Sequence, residues 1–395
     1  MNSISTPSTP RRSRRARDLV TAGAVGAAVL LLSACSGGAA GDPAASPGAS
    51  DGAASGLEAE VAALLEPRDE YPVPTEPTGD VASLAGTTVY YVPLTQQAPQ
   101  FNVTGAAVTE AFAAVDIDVQ TCNGNATPTE IDACITQATQ ASAAAIITDA
   151  IPYGMASNAL DAAQAAGIPV VLNNNYETPE HPESETLRYG PDSAAEQLVG
   201  LFKWIAVDSG GTGSVLFNEA TDGSSVLTAE EALAEADEVL ADGEIIVNEV
   251  SSSNFGLIPS STSSALLQHP EIGYVFSQFA SHLQPTQAGV EQAGRLADTQ
   301  GVVSAAQLGA LQQLGSDNFL HAAAGQASVF QGWVAADIAM RMQLGTDIPE
   351  YEIPYRLFTR DTIDDVELTA EAEASGEWFG PATFRDDFLA IWDAE

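Results

Sequence analysis

The apolar and polar positions form their clearest pattern in residues 144–175, AAIITDAIPYGMASNALDAAQAAGIPVVLNNN. Residues 145–148 are an apolar run without polar alternation, which is typical of a strand buried on both faces. Residues 153–166 carry apolar side chains at helical spacing, and Gly167 is a typical helix stop. Residues 168–172, IPVVL, are a second buried run. The pattern predicts a strand, a helix and a second, parallel strand, joined by a right-handed crossover.

Polar residues follow each of these two strands. Asp149 comes directly after the first strand, and three asparagines, Asn173, Asn174 and Asn175, come at the end of the second. In open α/β sheets, ligands bind beyond the carboxyl ends of the strands. The pattern therefore predicts a ligand site at this edge, although the same residue types are also common in turns and caps.

The first 35 residues resemble an export signal. Five arginines between Arg11 and Arg17 precede an apolar stretch, residues 19–32, which is too short for a membrane span. The stretch ends in Leu32-Ser33-Ala34-Cys35, which resembles the lipobox of bacterial lipoproteins. This resemblance implies that residues 1–34 are a signal peptide and that Cys35 carries the lipid. We therefore expect a chain that is anchored by lipid on the extracytoplasmic face of the cell membrane.

The next 50 residues have the composition of a tether. Residues 36–56 are rich in Gly, Ala, Ser and Pro, so they bury too little apolar surface to fold. Residues 57–65 can form one short helix, and residues 66–80 are rich in proline. We therefore assign residues 35–85 to the lipidated cysteine and a flexible tether. About 310 residues remain, which is too many for one ordinary core and fits two lobes.

Charge and cysteine content exclude several classes of function. The formal net charge of −40 excludes nucleic acid and anionic membrane surfaces as partners. Outside the cell, the pair Cys122 and Cys134 is most simply a disulfide. The four histidines lack metal-binding spacing, and neither a G-x-S-x-G elbow nor a P-loop lysine is present. We expect no metal, no cofactor and no enzymatic activity.

The series of predicted elements resembles the type I periplasmic sugar-binding proteins, the ribose- and galactose-binding solute receptors of ABC transporters. The paired cysteines are most similar to the lipoprotein receptors of Gram-positive bacteria. The resemblance rests on the order of the following segments: 87–93, 94–101, 103–114, 117–121, 130–141, the central unit, 187–192, 211–217, 228–240, 244–250, 260–269, 273–277, 322–326, 332–345 and 354–358.

The resemblance implies two doubly wound α/β lobes of parallel sheet joined by a three-segment hinge. The N-terminal lobe would comprise residues 86–190 and 327–352, and the C-terminal lobe residues 191–326 and 353–395. In this family the ligand lies between the lobes, which close on it by hinge motion.

The positions that match the family's ligand-binding positions are Gln100, Phe101, Asn174, Asn175, Phe255, Phe279 and Gln326, with Asp149, Asn218 and Asp222 on strand-end loops facing the same cleft. Phe101, Phe255 and Phe279 could instead be packing residues, and Gln326 a hinge residue that bonds only to backbone. The family's C-lobe arginine falls near Val226 and its late aspartate near Ala306, so both charges are missing. A pocket of amides and phenylalanines implies a small neutral ligand such as a carbohydrate, that is, a sugar or a sugar-like molecule.

The resulting expectation is a monomeric, lipid-anchored solute-binding protein of an ABC importer that delivers its ligand to a membrane permease. The alternative is a ligand-sensing lipoprotein that signals to a membrane receptor kinase. The sequence leaves open both this choice and the identity of the ligand.

Overall fold

The computed structural model describes residues 50–221, 225–316 and 319–393. The predicted signal peptide, the predicted lipidation site Cys35 and the candidate ligand residue Asp222 lie outside these ranges. Among the described residues, none of the helices has both the length and the apolar character that a membrane span requires.

The first lobe is built on a parallel sheet of five strands in the order β2-β1-β3-β4-β5. Its strands are β1 (Thr88–Pro93), β2 (Asp118–Thr121), β3 (Ala145–Asp149), β4 (Val170–Asn173) and β5 (Leu187–Gly190). The connecting helices are α2 (Pro99–Ala113), α3 (Pro128–Gln140) and α4 (Ser157–Ala165), and α10 (Ser328–Leu344) packs against α2 and the same sheet. Every residue of β3 and β4 is buried, as expected for strands with helices on both faces.

The second lobe is built on a sheet of six strands in the order β11-β10-β9-β8-β6-β7. Its strands are β6 (Val215–Ala220), β7 (Ile245–Val250), β8 (Tyr274–Ser277), β9 (Gln300–Val303), β10 (Leu320–Gln326) and β11 (Tyr355–Thr359). Only β11 runs antiparallel to its neighbour, β10. The helices of this lobe are α5 (Ala194–Ser209), α6 (Ser225–Val239), α7 (Ile258–Gln268), α8 (Leu283–Gln292) and α9 (Leu308–Ser316).

Three chain segments pass between the two sheets. They run from β5 to α5, from β10 to α10, and from α10 to β11. The predicted fold class, two α/β lobes joined at a three-segment hinge, is therefore confirmed.

The segment before β1 is part of the folded body, so the predicted tether is too long. Helix α1 (Ser50–Leu64) packs against α5, where Val61 is buried. Further along, the ring of Tyr71 stacks on Phe330 with centroids 4.7 Å apart, and its hydroxyl donates to the carbonyl of Gly376 at 2.6 Å. The proline-rich composition of residues 66–80 predicts an extended segment, and the prediction of a flexible tether was wrong because an extended segment can also pack on the fold through an aromatic side chain.

The C-terminal segment was assigned to the second lobe, but its last helix packs on the first. Helices α11 (Ala370–Ser375) and α12 (Phe384–Ile391) follow β11, and α12 contacts α10. Trp392 stacks on Trp333 of α10 with centroids 5.2 Å apart, and Arg385 forms an ion pair with Glu110 of α2. The apolar residues of α12 recur every four positions, and α10 offers the apolar face that covers them.

A buried polar cluster holds both terminal segments against α10. The carboxylate of Asp337 accepts hydrogen bonds from the hydroxyl of Thr78 at 2.6 Å, Trp392 Nε1 at 2.7 Å and Arg341 Nε at 2.8 Å, and also from the hydroxyl of Tyr351. Asp337 is fully buried and Arg341 is 1% exposed. The cluster therefore joins residues that lie more than 250 positions apart in the sequence.

A disulfide joins Cys122 and Cys134, with Cα atoms 5.7 Å apart. It connects the loop after β2 to the middle of α3. The start of α3 is fixed by Thr127, whose hydroxyl accepts a hydrogen bond from the backbone of Glu130 at 3.3 Å.

Candidate functional site

Three residues at the carboxyl ends of the strands adopt a left-handed backbone conformation. Ala150, Asn174 and Ala305 have φ values of 54°, 54° and 53° and come directly or closely after β3, β4 and β9. Residues other than glycine rarely adopt this conformation, and those that do concentrate at functional sites. Two of these positions, Ala150 and Asn174, lie at the edge that the sequence pattern indicated.

Asp149 lies at the centre of this edge in the first lobe. Its buried carboxylate accepts hydrogen bonds from the hydroxyl of Tyr91 at 2.5 Å and from Asn174 Nδ2 at 2.6 Å. Burial raises the pKa of Asp149 to about 6, although the bonds from Tyr91 and Asn174 oppose this shift and Asp192 adds to it. Asp149 therefore positions the amide of Asn174.

A cluster of three amides continues from Asp149 into the hinge. Asn174 Oδ1 accepts from Gln331 Nε2 at 2.8 Å and from Gln326 Nε2 at 3.3 Å, and Gln326 Nε2 also donates to Gln331 Oε1 at 2.9 Å. These residues come from the loop after β4, from the end of β10 and from α10. The structure thus brings together Asp149, Asn174 and Gln326, three of the predicted site residues.

Gln326 uses its full hydrogen-bonding capacity within the protein. Its Oε1 accepts from the backbone N–H of Ser193 at 3.2 Å, the hydroxyl of Ser193 at 3.3 Å and Gln197 Nε2 at 3.4 Å. Its two amide protons go to Asn174 and Gln331. In this conformation Gln326 joins two of the crossing segments, so its predicted bond to a ligand stays a prediction.

Gln100 and Phe101 lie in the first turn of α2 and not in a loop. The helix begins at Pro99, because proline is well suited to the first helical position. The backbone carbonyl of Phe101 accepts from the hydroxyl of Tyr91 at 2.9 Å, which places Phe101 next to the Asp149 cluster. Phe101 is half-buried, and its backbone contacts the same tyrosine hydroxyl that donates to Asp149.

Asn218 does not lie on a strand-end loop as predicted. It is fully buried within β6, where its Nδ2 donates to Thr262 at 3.0 Å and Thr286 at 2.9 Å, and its Oδ1 accepts from Asn248 at 2.7 Å. Strand β6 extends to Ala220, three residues beyond the predicted end. The side chain of Asn218 therefore connects β6 to α7 and α8.

Phe255 and Phe279 meet at a buried histidine in the second lobe. Their rings contact the ring of His282 edge-on, with centroids 5.3 Å and 5.7 Å apart. Phe255 is 41% exposed, so one of the two rings has surface available for a ligand. Their assignment to the ligand site stays a prediction.

A pocket of about 240 Å³ lies between the lobes beside the first crossing segment. The first lobe contributes residues 175–177 and 189–190, and the second lobe contributes Ala195, Glu196 and Glu231. The lobes also touch here, because the hydroxyl of Thr228 donates to that of Tyr176 at 3.3 Å. Asn175 is the single predicted site residue in this pocket.

Several residues of the site were not predicted from the sequence. Tyr91 and Gln331 carried a usable signal, because each is a polar group in an otherwise apolar buried segment. Asp192 and Glu231 carried none, because acidic residues are abundant throughout this chain. Within the described ranges, no group of three or more His, Cys, Asp or Glu side chains is placed to hold a metal ion.

Comparison with known proteins identifies the family. A sequence profile of the periplasmic binding protein domain matches residues 89–347, which is well over half of the chain. The search of curated proteins found no match.

Solved structures of the same fold include ABC transporter solute-binding proteins. The 5-methylthioribose transporter protein of Thermotoga lettingae, in complex with 5-methylthioribose, aligns with a TM-score of 0.64 at 15% identity, covering 78% of this chain and 99% of that one. The periplasmic ribose ABC transporter protein of Conexibacter woesei aligns with a TM-score of 0.60 at 22% identity, covering 73% and 97%. A solute-binding protein of Actinobacillus succinogenes with bound D-allose aligns with a TM-score of 0.60 at 16% identity, covering 71% and 100%.

These identities are low, so the solved structures support the fold, while the profile match supports the family. Both agree with the resemblance found in the sequence, and neither includes an enzyme. The chain therefore belongs to the type I periplasmic binding protein family, whose members are solute-binding receptors of ABC transporters.

Proposed function

We propose that this protein is a lipid-anchored, extracytoplasmic solute-binding protein that binds a small sugar or sugar-like ligand between its lobes and delivers it to an ABC permease. The observation that carries the proposal is the cluster of Asp149, Asn174 and Gln326, where strand ends of the first lobe meet the hinge. A ligand bound beside this cluster contacts both lobes, so its affinity depends on their closure.

The chemistry of the edge supports a polyhydroxylated ligand. Phe101 offers an apolar ring, and the amide of Asn174, held by the carboxylate of Asp149, exchanges hydrogen bonds with Gln326 and Gln331 that ligand hydroxyls can replace. Sugars present apolar ring faces together with hydroxyl groups, and such groups pair with aromatic and amide side chains respectively. The structures of related fold hold 5-methylthioribose and D-allose, both of this class.

The binding site is tested by a thermal-shift screen of sugars, polyols and nucleosides, since a ligand that binds only the native state raises the melting temperature. With a ligand that scores in the screen, Asn174→Gly and Phe101→Ala should each weaken affinity about ten- to a hundredfold. Glycine is chosen at position 174 because its left-handed backbone would strain alanine. The matched control is Gln268→Ala, an exposed amide at the end of α7. Unchanged affinity in both variants would refute the placement of the site.

The lipid anchor is tested separately. Cys35→Ala should shift the protein from the membrane fraction to the medium or leave it unprocessed at its precursor mass. Fractionation followed by intact-mass measurement distinguishes the two expected results from the contrary one, which is a mature protein that still sediments with membranes. Cys122→Ala serves as the control, because that cysteine belongs to the disulfide and should not affect anchoring.

A further inference from the structure

The pocket beside the first crossing segment differs in charge from the cluster around Asn174. Its lining includes four carboxylates and two tyrosines: Glu177, Asp192, Glu196, Glu231, Tyr176 and Tyr189. At about 240 Å³ it is somewhat smaller than the ~300–1,000 Å³ of typical small-molecule sites, which suits a molecule the size of a monosaccharide.

Within the part of the chain that the structure describes, the carboxylates of this pocket have no positively charged partner. Across residues 50–221, 225–316 and 319–393, none of the four forms an ion pair with a lysine, arginine or histidine. Asp192 is half-buried, and its Oδ1 accepts from the backbone N–H of Ala194 at 2.8 Å. Burial, together with the charges of Glu196 and Glu231, raises the pKa of Asp192 to about 6. Among the described residues, negative charge is therefore concentrated here, with Asp192 partly buried and Glu177, Glu196 and Glu231 exposed to solvent.

A second observation at the same place points to a ligand with donor groups. Asn175 is only 8% exposed and lines the pocket. Its Nδ2 donates to the carbonyl of Asn173 at 2.9 Å, whereas its Oδ1 accepts no hydrogen bond from any described residue. Because this oxygen is accessible to solvent and has no donor among the described residues, a group bound in the pocket can donate to it.

We propose that the ligand of the inter-lobe cleft carries a protonated amine, as an amino sugar or another polyhydroxylated amine does. An ammonium group has three donors and no acceptor, which complements carboxylates and an amide oxygen. An organic cation fits better than a metal ion, because no group of metal-ligating side chains is formed among the described residues. The inference rests on the proposed function, and it replaces the neutral ligand expected from the sequence with a cationic one of the same size.

The experiment compares matched pairs that differ by one amino group: glucamine with sorbitol, and galactosamine with galactose. At pH 6.5 an aliphatic amine is protonated. Titration calorimetry on the full-length protein should show the amine of at least one pair binding tenfold or more tightly than its neutral partner. Asp192→Asn and Glu231→Gln should each remove most of this advantage without weakening the neutral partner. The control Glu238→Gln changes an exposed carboxylate on α6, the helix that carries Glu231, and it should leave the preference for the amine unchanged.

The outcomes separate the two proposals. If neutral partners bind as tightly as the amines, and the two pocket variants bind as the parent does, the cationic ligand is refuted while the sugar-binding function stands. If no member of either pair binds, the polyhydroxylated amine is refuted as the ligand, and the sugar-binding function is decided by the thermal-shift screen.

A measurement without ligand tests the same pocket. Asp192→Asn should raise the melting temperature of the empty protein, because it removes a partly buried charge that has no positive partner among the described residues, whereas the exposed Glu238→Gln should not. A lower or unchanged melting temperature in Asp192→Asn would show that this carboxylate is compensated within the protein, and it would overturn the inference.

Discussion

Asp337→Ala should lower the free energy of unfolding by about 3–5 kcal/mol, because it removes one partner of a buried ion pair. Arg341, at 1% exposure, would keep its charge without the carboxylate that now accepts from its Nε at 2.8 Å. Thr78 and Trp392 would also each lose an acceptor. The loss should be largest in the terminal segments, because these are the bonds that attach residues 76–78 and Trp392 to α10.

Chemical denaturation monitored by tryptophan fluorescence measures this effect, since Trp392 and Trp333 stack directly beside the cluster. Glu350→Ala, which removes an exposed carboxylate six residues after the end of α10, is the matched control and should change stability by less than about 0.5 kcal/mol. The loss of stability in Trp392→Phe should lie between those of the other two variants, because this change removes a single hydrogen-bond donor to Asp337. A loss below 1 kcal/mol in Asp337→Ala would mean that the terminal segments are held mainly by apolar packing.

The sequence predicted the sheets well because their signal is local. A buried parallel strand needs only four or five consecutive apolar residues, and β3 and β4 have them. The same pattern places Asp149 at the end of β3 and Asn174 directly after β4. The first sheet with its helices and most strands of the second sheet could therefore be placed from sequence alone. Strand β9 and the helices α5, α8 and α9 were not predicted.

The attachment of the termini could not be predicted, because it depends on pairs that are distant in sequence. Tyr71 is an aromatic residue among prolines, and nothing near it shows that Phe330 and Gly376 complete its environment. Asp337 is likewise an acidic residue within an apolar helix, which marks it as special but does not identify its partners. Such side chains can be recognised from sequence, whereas their contacts require the fold.

The second-lobe part of the site was harder to predict than the first for a physical reason. Asn218 was placed on a loop because a polar residue near a strand end is usually a loop residue. In the structure β6 continues past it, and the hydroxyls of Thr262 and Thr286 satisfy its amide inside the lobe. A buried asparagine with partners on two helices has the same local sequence as an exposed one.

Lowering the pH from 7.5 to 5 should stabilise the ligand-free protein by about 1–3 kcal/mol. Burial raises the pKa of both Asp149 and Asp192 from 3.8 to about 6. A carboxyl group with a raised pKa binds its proton more tightly in the folded state than in the unfolded state. Between pH 4 and 6 the folded protein therefore holds more protons, and its stability falls as the pH rises through 6. Each pKa unit corresponds to 1.36 kcal/mol.

Thermal melts across this pH range test the effect, and two variants separate it from the general relief of negative charge that any acidic protein gains at lower pH. In Asp192→Asn, the increase in the free energy of unfolding between pH 7.5 and 5 should be about half that of the parent, because one of the two titrating carboxyl groups has been removed. The remaining increase comes from Asp149, which keeps its hydrogen bonds from Tyr91 and Asn174. In Glu238→Gln, an exposed carboxylate on α6, the gain should match that of the parent. Equal gains in all three proteins would assign the pH dependence to net charge, and a loss of stability toward pH 5 would contradict the raised pKa values of both aspartates.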